Sequence, residues 1–130
     1  MGRMELTGAE WDVMECLWDA SPRTGRELAQ EMAARRGWSR STTLTLLRRL
    51  ETKGAVTAQE GDGVRRFSPA VRREDAALRE AESFLDRVYK GSVSLLVSAL
   101  TQKQALSRRE IDELYAILQQ AEKEAEDNDP

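Results

Sequence analysis

The chain has 130 residues and a net charge of -3, with 40% hydrophobic and 33% charged residues. That suits one small domain with an appended element and argues against a disordered chain. One cysteine and no histidine exclude an internal disulfide, a Cys-His nucleophile pair and any Cys/His zinc site, and no cofactor is expected. No apolar run approaches the ~20 residues of a membrane span and residues 1–7 carry no apolar leader, so a soluble cytoplasmic protein is expected.

Three segments open on the same signature. Thr7-Gly8-Ala9-Glu10, Thr24-Gly25-Arg26-Glu27 and Ser107-Arg108-Arg109-Glu110 each set a hydroxyl three residues before a glutamate. That spacing is a capping box: the hydroxyl accepts from the third helical amide, and the glutamate reaches back to the cap amide. The first helix is expected over 8–19, with Trp11, Met14, Leu17 and Trp18 as its apolar stripe, Val13 beside it and Cys16 at the margin. The second is expected over 25–36, with Leu28, Ala29, Met32 and Ala33 inward and Gly37 as its stop. The third is expected over 40–53 between Ser39 and Gly54, with Thr43, Leu47 and Leu50 inward and Leu46 alongside.

The period then changes. Residues 55–60 and 64–68 read as two short strands around Gly61-Asp62-Gly63, because Asp-Gly suits the positive φ of a tight hairpin turn. Pro69 ends the second strand, and the domain boundary is expected there, dividing the chain into 1–72 and 73–130. The remainder reads as helix. Residues 74–89 carry Leu78, Ala81, Leu85 and Val88 on one stripe, with Phe84 and Tyr89 near it. Residues 92–102 are apolar through Val93, Leu95, Leu96, Val97 and Leu100. A last helix from Ser107 carries Ile111, Leu114, Leu118 and Ala121. Its acidic tail over 122–130 is expected to fray.

The fold class is therefore mainly α: a winged helix-turn-helix of three helices and a two-strand wing, followed by a helical dimerisation domain. In such a domain the third helix enters the DNA major groove. Charge agrees locally. Residues 1–73 carry 13 Lys and Arg against 10 Asp and Glu, while 35–73 carry ten against three. A phosphate backbone responds to that local field rather than to the total.

With Thr43, Leu47 and Leu50 inward, the opposite face of the third helix holds Ser41, Leu44, Thr45 and Arg48, with Thr42 and Arg49 at its margins. Ser39, Arg40, Ser41, Thr42, Leu44, Thr45, Arg48 and Arg49 are the expected DNA contacts of this helix. Short hydroxyls allow close approach, arginines reach guanine or phosphate, and a leucine on a polar face suits a thymine methyl. Arg65 and Arg66, on opposite faces of the second wing strand, are the expected backbone contacts.

In the second half, an isolated copy would leave apolar stripes partly uncovered. Phe84, Leu85, Leu95, Leu96, Leu100, Ile111, Leu114 and Leu118 are the expected homodimer interface, with its two-fold axis matched to a palindromic operator. The alternative is a winged helix used only for protein interaction, without specific DNA binding. An enzyme is not expected, since neither a nucleophile–base pair nor a phosphate loop occurs.

The chain resembles the penicillinase-repressor (BlaI/MecI/CopY) family. Residues 6–14, Leu-Thr-Gly-Ala-Glu-Trp-Asp-Val-Met, look like its opening, and residues 38–54, from Trp38-Ser39-Arg40-Ser41-Thr42 through Lys53-Gly54, look like its reading helix. Residues 84–91 and 106–115 resemble its dimerisation half, and the resemblance extends from residue 6 to about 122. It implies a winged-helix domain, a helical dimerisation domain and repression at palindromic operators. It also implies, in several members, a membrane-bound sensor metalloprotease that triggers cleavage in the dimerisation half; another branch senses copper through a cysteine cluster. This sequence departs from both schemes. Cys16 stands alone in the first helix, and no Asn-Phe pair occurs; the bond aligned with the family's cut is Ala99-Leu100.

Overall fold

In the computed structural model, which describes residues 5–128, the chain is built as α1 (Gly8–Asp19), β1 (Arg23–Thr24), α2 (Gly25–Arg36), α3 (Arg40–Lys53), β2 (Val56–Gly61), β3 (Val64–Pro69), α4 (Arg73–Tyr89), α5 (Val93–Gln102) and α6 (Arg108–Asp127). It divides into two compact units, Met1–Ser83 and Phe84–Pro130. The boundary expected at 72/73 coincides with the start of α4, whose first turns belong to the first unit.

The caps explain the helix starts. Thr7, Thr24 and Ser107 each form the reciprocal capping box with the glutamate three residues on, and Ser39 accepts from the Thr42 amide. Gly37 and Gly54 close α2 and α3 in the left-handed region, at φ 69° and 83°, where a Cβ would be strained.

The sheet is antiparallel, in the order β1-β3-β2. Gly61 opposes Val64, so the wing turns through Asp62 (φ 55°) and Gly63 (φ 72°) alone. Two consecutive positive φ values match the twist of the flanking strands. The expected two-strand wing is β2 and β3, and a short third strand extends its sheet: Arg23 and Thr24 pair with Phe67 and Arg66.

The core of the first unit gathers Val13, Met14, Cys16 and Leu17 from α1, Leu28 and Met32 from α2, and Leu46, Leu47 and Leu50 from α3. Ala55, Val56 and Phe67 from the sheet region close it. Full burial contributes about 1.5–3 kcal/mol for each large aliphatic side chain. Cys16, at the margin of the stripe of α1, is fully buried, and one expectation is corrected: Ala33 is exposed.

The second unit differs sharply. None of its described residues is buried. Phe84, Val88, Val93, Leu95, Leu100, Tyr115, Ile117 and Leu118 are all exposed, Leu118 by 63%. The expected fraying from residue 122 is corrected for the described residues. α6 stays helical to Asp127, where Glu, Lys and Ala are good helix formers and Gln120 donates to Glu124 one turn on. Asp129 and Pro130 lie outside the described residues. No helix among the described residues is long and apolar enough to cross a membrane.

Candidate nucleic-acid interface

Burying Thr43, Leu46, Leu47 and Leu50 fixes the rotation of α3 and leaves its other face open. Ser41, Thr42, Thr45, Arg48, Arg49 and Thr52 are all exposed. Thr45, Arg48, Arg49, Thr52 and Lys53 line one shallow depression along it. At its N-terminus the Ser39 hydroxyl lies 3.1 Å from that of Ser41 and 3.0 Å from that of Thr42. Ser39 therefore serves first as the helix cap, and its neighbours present their hydroxyls at the mouth of the helix.

The arginines sort by their partners. Arg23, Arg35, Arg36, Arg72 and Arg73 are tied to carboxylates. Among the described residues, Arg40, Arg48 and Arg49 form no ion pair and are exposed. Unpaired Arg48 and Arg49 thus stand on the open face of α3, where an anionic ligand would meet them without first displacing a carboxylate, and Arg40 is exposed at the helix start.

The wing arginines are unlike each other. Arg65 bonds Glu51 of α3 at 2.5 Å, and its guanidinium stands 5.5 Å from the centre of the Phe67 ring. Arg66, pointing the other way, reaches only the Gly61 carbonyl at 3.4 Å.

Leu44 departs from the expected open face. It is half-buried against the core, and its Cδ2 would stand 3.0 Å from a Cβ placed on Gly25. The close approach of Leu44 to α2 accounts for glycine at that position, and it brings the start of α2 beside the start of α3. Arg26 is exposed in the first turn of α2 and was not singled out by sequence reasoning. Its signal was available: the second helix of a helix-turn-helix points its N-terminal amides toward the backbone.

Cys16 offers no reactive chemistry. Burial, and then the nearby Glu31 charge, push its thiol up to about 11, and its Sγ lies 3.4 Å from Met32 Sδ. No cluster of metal-ligating residues occurs among the described residues.

In the second unit, Phe84 packs on Tyr89 at 5.8 Å between ring centres. Leu85, Leu96, Ile111 and Leu114 are half-buried, while Phe84, Leu95, Leu100 and Leu118 are exposed.

Comparison with known proteins places this geometry. The penicillinase repressor family profile matches residues 6–120. The chain is similar to the methicillin resistance regulatory protein MecI of Mammaliicoccus sciuri, at 32% identity over 88% of this chain and 93% of the other. It is similar to the penicillinase repressor of Bacillus licheniformis, at 32% identity over 89% and 91%. Among solved structures it resembles the DNA-binding domain of the repressor BlaI, with TM-score 0.52, 29% identity and coverage of 58% of this chain and 93% of that one. It also resembles monomeric Bacillus licheniformis BlaI in complex with the blaP half-operator, with TM-score 0.51 and the same identity and coverage. The chain belongs to the penicillinase repressor family, as a transcriptional repressor of the BlaI/MecI type with a winged-helix domain.

Proposed function

We propose that two copies of this chain bind a palindromic DNA operator, with α3 in the major groove and the wing on the flanking backbone, and so block transcription. The observation that carries this reading is the open face of α3, where exposed hydroxyls stand with the unpaired Arg48 and Arg49. Thr42, Thr45 and Arg49 read base edges, helped by Ser41 and Arg48, and Arg40 and Arg26 meet phosphate. Arg66 or Arg65 holds the backbone beside the half-site. The uncovered stripes of the second unit supply the homodimer, which places two reading helices on a palindrome with two-fold symmetry. The reading includes no catalytic step, and it puts the protein in the cytoplasm with its DNA.

Induction in this reading is by proteolysis in the second unit, triggered by a membrane-linked sensor protease and separating the copies, although the Asn-Phe bond of the family's scheme is absent. The matching bond, Ala99–Leu100, lies inside α5, so a protease must act on that helix unwound. A gel shift on the DNA upstream of its own gene, against random duplex at low salt, tests the function. A discrete complex that survives random competitor is expected. A flat titration on both would favour a winged helix used for protein interaction.

A further inference from the structure

The start of α4 is clasped by α1. Arg73 gives Glu15 a two-pronged bond, from Nε to Oε1 at 2.8 Å and from Nη2 to Oε2 at 3.0 Å. Its guanidinium also stands 5.7 Å from the centre of the Trp11 ring and 6.0 Å from that of Trp18. Those two rings pack edge to face at 5.1 Å. Trp18 Nε1 donates to the Val71 carbonyl at 3.0 Å, tying down the segment between wing and helix. One turn beyond Arg73, Ala76 is buried, and at Ser83 the hydroxyl donates to Glu5 at 3.3 Å.

This construction is over-specified for stability. The side chains of Arg73 and Glu15 remain 53% and 33% exposed, and an ion pair so placed contributes little to folding. What a planar fork on a carboxylate, braced by two indoles, does supply is direction. The hydrogen bond from Arg73 also holds the Glu15 carboxyl below its ordinary range, so the pair stays charged through neutral pH.

We propose that Arg73 is a positioning residue: gripped by Glu15 and the Trp11–Trp18 pair, it holds the first turns of α4 at one angle on the reading domain and thereby sets which half-site spacing the repressor accepts. The inference rests on the proposed two-copy binding to a palindrome. A pre-organised arm discriminates between spacings because only the matched one is reached without bending it, whereas a loose arm accommodates several.

The test uses the full chain and an operator selected from a random duplex library by the wild-type protein. Affinity is measured for that operator, for versions with one base pair inserted or removed between the half-sites, and for a single half-site. In Arg73→Ala the preference for the matched spacing is expected to fall by about threefold or more, with half-site affinity, helical content and oligomeric state unchanged. Arg73→Lys, which keeps the charge and the aromatic shelf, is expected to recover part of the preference. An unchanged preference in Arg73→Ala would overturn the proposal. So would an equal loss on every DNA including the half-site, which would mark a phosphate contact. A wild-type protein that binds the full operator better than the half-site but is indifferent to spacing would overturn the proposal alone, whereas one that binds both equally tightly would remove the two-copy reading beneath it.

Discussion

Glu10 and Lys53 join the beginning of the first helix to the end of the third: Lys53 Nζ lies 2.6 Å from Glu10 Oε1 and also donates to the Glu5 carbonyl at 2.7 Å. The same Oε1 accepts from the Thr7 amide at 2.7 Å, so the glutamate of the α1 capping box is also the anchor of α3. Glu10 is fully buried. Burial pushes its carboxyl up, but the bonds from Lys53 and Thr7 and the Lys53 charge outweigh that and leave it below its ordinary value. This contact orients the reading helix from its far end.

Removing Lys53 alone should therefore be costly. Lys53→Met leaves a buried carboxylate without its cation and should destabilise the first unit by about 2–3 kcal/mol, less than for a fully buried pair because Lys53 is partly solvated. The sign with pH follows from the lowered carboxyl. Its contribution is fully present above the ordinary carboxylate range and is lost as pH falls through the folded value. Urea unfolding of wild type and Glu10→Gln should converge toward the acid limb. Parallel stability profiles down to that limb would refute the linkage.

On the open face of α3, Arg49→Ala should weaken operator binding by about 1–3 kcal/mol if it grips a base edge with two bonds. A loss confined to the specific operator would identify base reading. An equal loss on random DNA, with a shallower salt dependence, would make it a phosphate contact. Unchanged binding would remove Arg49 from the interface.

Much of this was legible in the sequence because the helix signals are local. The hydroxyl–glutamate spacings and Gly37 and Gly54 fix helix ends within one or two residues of chain. Asp62-Gly63 announces the hairpin for the same reason. β1 was hidden because two residues show no periodicity and its pairing is through backbone alone. Leu44 was misplaced because a helical wheel cannot see that α2 begins against it. The Arg73 clasp was invisible for a related reason: its partner lies 58 residues away in α1, on a helix whose pattern speaks only of its own apolar face.

The two wing arginines should respond differently to salt. Arg65 must leave Glu51 before it can meet phosphate, while Arg66 gives up only a long bond to a carbonyl. Arg66→Ala should lower the salt slope of binding by about one unit on all sequences. Arg65→Ala should lower it less, unless Glu51→Gln has first freed the guanidinium. Wild-type slopes in both single variants would place the wing off the backbone.

Cys16 should be silent toward alkylation. A thiol raised to about 11 holds almost no thiolate near neutral pH, and the thiolate is the reactive form. Iodoacetamide should label the native protein only through unfolding and label it fully in denaturant. Rapid labelling of native protein would reveal an opening of the α1–α2 core.

The second unit predicts its own assembly. From Phe84 to Asn128 not one residue is buried, while Leu95, Tyr115, Ile117 and Leu118 are more than half exposed. Helices this uncovered gain too little burial within one copy to offset their ordering. A second copy laid against Leu100, Leu114 and Leu118 would remove those faces from water, at about 25 cal/mol per Å² of apolar surface. Leu114→Asp places a charge in that seam and should yield monomers by sedimentation. Operator affinity should fall toward that of a half-site, while the first unit keeps its helical signal and its unfolding transition. Two results would contradict the dimer: wild-type protein sedimenting as a monomer at micromolar concentration, or residues 1–83 alone binding the full operator as tightly as the intact chain.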